Sequence, residues 1–220
     1  METAASSTSP NLSIEPITTR EEAEWVQEKM NEMYHSKAKK GEIEPALQLT
    51  TPEGRPDGFD EVKWPYNAQG YIAINEENNT DQIVGCSVVS VRTIYQLQPQ
   101  IPSSGVNFDE GVEDYNGYLL FQYITDGFTS QGIGHTLLQQ NIDWLRDDTP
   151  AKNMFAVNWV RESSATELKG LLSKIGFTHM GTSEYYYNTM QERQTCPECG
   201  IGDEDNDYCS CAGSVWKKEF

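Results

Sequence analysis

Residues 118–145 read YLLFQYITDGFTSQGIGHTLLQQNIDWL, an apolar run followed by two glycines one residue apart and then a periodic segment. From Ile133 the apolar residues fall at Leu137, Leu138, Ile142 and Leu145. That spacing lines one face of a 3.6-residue helix, whereas the run before the glycines reads as a buried strand. A strand that turns through Gly-x-Gly into a helix brings backbone N–H groups close to whatever lies beyond the helix end. The helix dipole makes that position favourable for an anion, commonly phosphate. A tight turn explains the same two glycines, so the rest of the chain has to decide between them.

The order of elements around this junction is informative. LSIEPIT (12–18) predicts a first strand, and Thr18 or Thr19 can cap a helix running to about His35, with Glu21 and Glu22 in its first turn. Residues 37–65 are polar and broken by glycine and proline, a long irregular connection. GYIAINE (70–76) and QIVGCSVVSVRT (82–93) predict two strands joined as a hairpin. The strand at 118–125 and the helix at 132–146 follow, then a strand at 152–160. SSATELKGLLSKIGF (163–177) predicts a second amphipathic helix, with Gly176 placed to end it, and 177–190 supplies one or two last strands.

Charge narrows the partners. Sixteen Lys and Arg face thirty-four Asp and Glu, a net charge of -18 spread along 220 residues. Such a surface repels nucleic acid and anionic lipid, and it suits a protein adapted to concentrated salt. METAASSTSPN (1–11) is polar and reads as a disordered lead-in rather than a secretory leader. No apolar run reaches the length of a membrane span, so the expectation is a cytoplasmic protein.

Strand–helix–strand–strand–strand–(G-x-G)–helix–strand–helix–(GF)–strand resembles the GNAT N-acetyltransferase superfamily over residues 12–190. SQGIGHTLL stands where that family carries its pyrophosphate motif, and LLSKIGF matches its helix-end signature. The resemblance implies an α/β fold with a mixed, mostly antiparallel central sheet and helices on both faces. It implies acetyl-CoA as cosubstrate and an amine as acceptor. By the same resemblance the N–H groups of Gln131, Gly132, Ile133, Gly134 and His135 cradle the diphosphate. Thr129 stands where the family has a longer polar side chain. The backbone of Tyr123, Ile124 and Thr125 would hold the pantetheine arm like an added strand. Asn158 and Arg161 flank that region and could touch cofactor or substrate.

The chemistry needs a base for the ammonium proton and an acid for the departing thiolate. By the resemblance, many members place a Tyr acid where this chain has Leu172, which cannot donate a proton, and some a Glu base where it has Tyr118, which is no Glu. Tyr186, within Tyr185–Tyr187, and Glu162 are the candidates left nearby. Asp126, at the end of the fourth predicted strand, is a further carboxylate.

TCPECGIGDEDNDYCSC holds Cys196, Cys199, Cys209 and Cys211 as C-x2-C-x9-C-x-C. Four thiolates in two close pairs match a closed, structural zinc site, and iron fits the same ligands. Residues 191–220 are thus expected to form a small zinc-knuckle-like tail after the domain. Cys86, in mid-strand, reads as a core residue. Two functions compete: a CoA-dependent N-acyltransferase, and a catalytically weak acyl-CoA sensor or interaction protein. A zinc-dependent nucleic-acid binder is opposed by the charge.

Overall fold

The computed structural model describes residues 11–35, 68–76, 81–93, 97, 101, 115–160, 167–183 and 211–220. The periodicities resolve into one sheet with helices on both faces. In chain order the elements are β1 (Leu12–Pro16), α1 (Arg20–His35), β2 (Ala68–Asn75), β3 (Gln82–Thr93), β4 (Tyr115–Ile124), α2 (Ile133–Asp148), β5 (Asn153–Val160), α3 (Glu167–Ile175), β6 (Thr178–Ser183) and β7 (Ala212–Glu219). The seven strands lie in the order β1-β2-β3-β4-β5-β7-β6. β1 to β4 form an antiparallel meander, β5, β7 and β6 pair antiparallel, and the two halves meet at a parallel β4–β5 contact. A parallel contact needs a crossover, and α2 supplies it.

Local chemistry sets the helix ends. At α1 the Thr19 hydroxyl accepts the Glu22 N–H at 3.3 Å while the Glu22 carboxylate accepts the Thr19 N–H at 2.9 Å, a reciprocal capping box. At the end of α3 the Phe177 N–H reaches the Leu172 carbonyl and the Gly176 N–H reaches that of Ser173. This is a Schellman ending, with Gly176 at φ 90°.

α2 buries Ile133, Leu137, Leu138, Ile142 and Leu145, the face its spacing predicted. With α3 it covers one side of the sheet, where Leu138, Leu145, Leu172 and Phe177 pack against Val89, Met154 and Trp216. α1 covers the other side through Ala23, Val26 and Met30, against Ile72, Cys86, Val88 and Phe121.

One boundary needs correction. Residues 212–219 are not part of a separate tail: β7 lies inside the sheet between β5 and β6. Its Val215 packs on Tyr118 and Phe155, and Trp216 joins the α2–α3 core. The cysteine-rich stretch is therefore spliced into the β6–β7 connection, and the domain closes at β7.

Candidate active site

The parallel contact between β4 and β5 covers only two residue pairs, Gly117 with Met154 and Tyr118 with Phe155. Beyond Tyr118 the two strands diverge, although β5 stays paired with β7 as far as Val160. The cause sits in β4. Val88 of β3 pairs with Phe121 and Val89 pairs with Leu119, so Leu120 is an extra residue. Such a bulge bends its strand and increases the local twist, here just past the last pair with β5. It also resets the alternation. Leu119 faces α2, Leu120 and Phe121 both face the α1 side, and Gln122 again faces α2.

The hydrogen-bond phase of β4 says which backbone groups face the gap. The Thr125 N–H is bonded to Val84 O at 2.9 Å, and the Thr125 carbonyl accepts the Phe128 N–H at 3.0 Å. Counting back along an antiparallel ladder, Tyr123 and Phe121 also point their groups at β3, while Ile124 and Gln122 point theirs into the gap. Of the three residues expected to grip a ligand through the backbone, only Ile124 is so turned. Thr125 has both groups engaged, and Tyr123 is turned toward β3.

α2 begins beside this gap. Gly132 is its N-cap, at φ 85° and ψ -4°, with no side-chain cap and no acidic residue in the first turn. The first N–H groups of any helix lack intrahelical partners, so those of Ile133, Gly134 and His135 are directed at the space beyond the helix end. Ser130 is left-handed as well, at φ 63°. A loop alternating such residues into a helix start gathers amides into a hollow suited to an anion. Gln131 folds back on the loop, its Nε2 donating to Gly127 O at 3.0 Å. Thr129, Gln131 and His135 are exposed, while Ile133 is buried and anchors the helix start.

The two glycines do different work. A Cβ on Gly132 would meet nothing within 4 Å, so the positive φ is what requires glycine there. A Cβ on Gly134 would lie 2.9 Å from Gln122 Nε2, and that same nitrogen donates to Gly134 O at 2.9 Å. Gly134 is a close-packing position, which ties the first turn of α2 to the lip of the gap.

On the opposite side of the sheet Tyr123 stacks on Phe121 with centroids 6.4 Å apart and meets Trp25 of α1 edge-on at 6.1 Å. Lys29 Nζ lies 5.9 Å from the Trp25 ring centroid and pairs with Glu32 at 2.8 Å. The Glu32 carboxylate holds the Lys29 ammonium above its usual range. A helix end without a side-chain cap on one side and an aromatic wall on the other thus flank a slot in the sheet.

Two crystal structures of Arabidopsis thaliana NAA60, one with acetyl-CoA and one with a bisubstrate analogue, superpose on this chain with a TM-score of 0.60 each. The matches cover 96% of this chain and 99% of that one at 8% and 9% identity. A Streptococcus pneumoniae acetyltransferase of the GNAT family gives 0.54 over 96% of this chain and 100% of its own, at 13% identity. The chain has the GNAT fold. No family model and no curated protein sequence matches it.

Within the GNAT fold the departures named above acquire positions. Leu172 is fully buried, three residues before the end of α3, and packs in the same core as Phe177. Tyr118 is buried at the last β4–β5 pair, on the floor of the slot among Leu97, Ile101, Phe155 and Val215. Asp126 is exposed at the end of β4. Cys86 is buried in the α1-side core, where burial pushes its thiol pKa up, away from nucleophilic use. Tyr186, Glu162, Arg161, Cys196, Cys199 and Cys209 lie outside the described residues. Cys211 is buried next to the start of β7 and is not in a disulfide. Gln122 was not singled out by the sequence, because a lone glutamine in an apolar strand carries no pattern. Its partner glycine, at the second position of the Gly-x-Gly, was the only clue.

Proposed function

We propose that this chain is a CoA-dependent N-acyltransferase that moves an acetyl group from acetyl-CoA to a primary amine. The observation that carries this is the slot between β4 and β5 opening beside the uncapped N-terminus of α2. The diphosphate would sit on the N–H groups of residues 131–135, and the pantetheine arm would pair with the gap-facing backbone of Ile124 and Gln122. The thioester would then lie in the slot, and the amine would approach from the aromatic wall of Tyr123 and Trp25.

In the reaction the amine nitrogen attacks the thioester carbonyl carbon. A C–N bond forms, the C–S bond breaks, the nitrogen loses a proton and the coenzyme leaves as a thiolate that is protonated. Holding both reactants in one slot supplies much of the acceleration. Glu162 and Tyr186 are the proposed base and acid; single replacements of each should lower turnover without changing coenzyme affinity. The acidic surface favours a cationic acceptor and activity that persists in concentrated salt.

The four thiolates of Cys196, Cys199, Cys209 and Cys211 are proposed to hold a structural zinc ion. The burial of Cys211 beside β7 supports a closed site. Elemental analysis of protein purified under reducing conditions checks this, and metal-free protein would refute it.

A second reading is favoured by one observation, the buried Leu172: an acyl-CoA-binding protein with little turnover. Calorimetry with coenzyme A and an acetyl-CoA turnover assay against a panel of amines, in low and high salt, separate the two. Binding with turnover supports the transferase and binding without turnover supports the sensor. Absence of binding ends both.

A further inference from the structure

A row of polar side chains crosses the α2–α3 side of the sheet at one level. Ser87 of β3 pairs with Gln122 of β4, and Asn158 of β5 pairs with Ser214 of β7. Counting Leu120 as the extra residue, the register from Tyr118 and Phe155 sets Gln122 and Asn158 level with each other on opposite lips of the slot. Asn158 shares its face with Met154 and Ala156, which pack under α2. Both carboxamides therefore lie on the helix-covered side. Asn141 of α2 donates to Ser87 Oγ at 2.7 Å and closes the row from above.

The row is incomplete. Gln122 Oε1, Asn158 Nδ2 and Asn141 Oδ1 are all buried without a hydrogen-bond partner among the described residues, and Asn158 is only 8% exposed. Buried polar atoms are nearly always paired, so such a set asks what completes it. Asn141 Oδ1 belongs to α2 above the row; of the two orphans on the lips of the slot, one is an acceptor on β4 and the other a donor on β5. A trans amide carries its N–H and its C=O on opposite sides, so one amide laid in the slot can donate to Gln122 and accept from Asn158.

We propose that Gln122 and Asn158 form a side-chain clamp for an amide group of the pantetheine arm, a reading that rests on the acyl-CoA assignment above. The clamp adds to backbone pairing along β4 and fixes how far the arm slides toward the floor at Tyr118. Gln122 also holds the first turn of α2 through Gly134 O, so the diphosphate cradle and the arm share one positioning residue.

The test compares coenzyme A with phosphoadenosine diphosphate, the same nucleotide without the arm, by calorimetry on the full chain. Asn158→Leu and Gln122→Met keep shape and remove the orphan groups. Asn158→Leu should weaken coenzyme A about tenfold, one lost hydrogen bond, and leave phosphoadenosine diphosphate binding unchanged. Gln122→Met, which also releases the Gly134 carbonyl, should weaken both ligands, and coenzyme A by about tenfold more than the nucleotide. The double variant should lose less than the product, because both side chains hold one group. Retained nucleotide binding also shows that each variant is folded; should Asn158→Leu fail to fold, Asn158→Ala serves in its place. Equal weakening of both ligands would mean a structural role and would overturn the clamp. No change for either would mean that a fixed water completes the row and would also overturn it. If the wild-type chain binds neither ligand, the acyl-CoA assignment falls and takes the clamp with it.

Discussion

The Gln122 side-chain amide donates to the Gly134 carbonyl at 2.9 Å, across the space that a Cβ on residue 134 would occupy. Gly134→Ala should therefore displace the glutamine. The expected result is an unfolding temperature within a few degrees of wild type, because alanine recovers about 1 kcal/mol of helix propensity. Coenzyme A binding should fall several-fold, and shortening the obstacle with Gln122→Ala in the same chain should restore the fit of α2. Gly132 behaves differently. Gly132→Ala meets no neighbour but places a Cβ in the left-handed region, costing about 1 kcal/mol, and Gly132→Asn should cost less than Gly132→Ala. Thermal unfolding and calorimetry on the set check the assignment.

Leu172 and Phe177 close α3 together. Installing the side chain that the family often uses as an acid, Leu172→Tyr, forces a larger, polar group into a site with no exposed surface. Overpacking of this kind costs about 1–3 kcal/mol. The expected outcome is a lower unfolding temperature with no gain in acetyl-CoA turnover. A gain in turnover would show that the position still faces the reacting sulfur.

Cys86 should be chemically silent. Burial disfavours its thiolate, so a haloacetamide at mildly alkaline pH should leave residue 86 unmodified in the native protein and label it only in denaturant. Peptide mass mapping reads this directly. Fast native labelling would show that the α1-side core opens.

Val215 tests the corrected boundary. It is fully buried between the β5 and β6 partners of its strand, against Tyr118 and Phe155. Val215→Asp buries an unpaired charge and should destabilise the whole domain by about 3 kcal/mol or more. In a detachable tail the same change would leave coenzyme binding and the unfolding temperature untouched.

Much of this was legible in the residues. The phase of α2 followed from Ile133 to Leu145, and the Gly-x-Gly correctly announced a strand turning into a helix. A threonine cap on α1 was legible too, but Thr18 and Thr19 each have a glutamate three residues on, and the structure selects Thr19. The bulge at Leu120 was not legible, because Leu119, Leu120 and Phe121 are apolar and look the same in either register. Its consequence, that Ile124 rather than Thr125 faces the slot, depends on a hydrogen-bond phase that composition does not carry. β7 was missed for another reason. GSVWKKE has only two large apolar residues and two lysines, and it follows a cysteine-rich stretch of different composition. Its Lys217 is buried with its head group held by Glu219, so polarity there does not mean exposure.

The position of β7 has a consequence for how the protein is made. Its two neighbours leave the ribosome well before it does, and until it arrives each presents a bare rank of amides and carbonyls able to stitch onto any other chain. The right half of the molecule is thus a zip whose central row of teeth is delivered last. A cell making this protein quickly must shelter that half-finished edge until the final strand slides home.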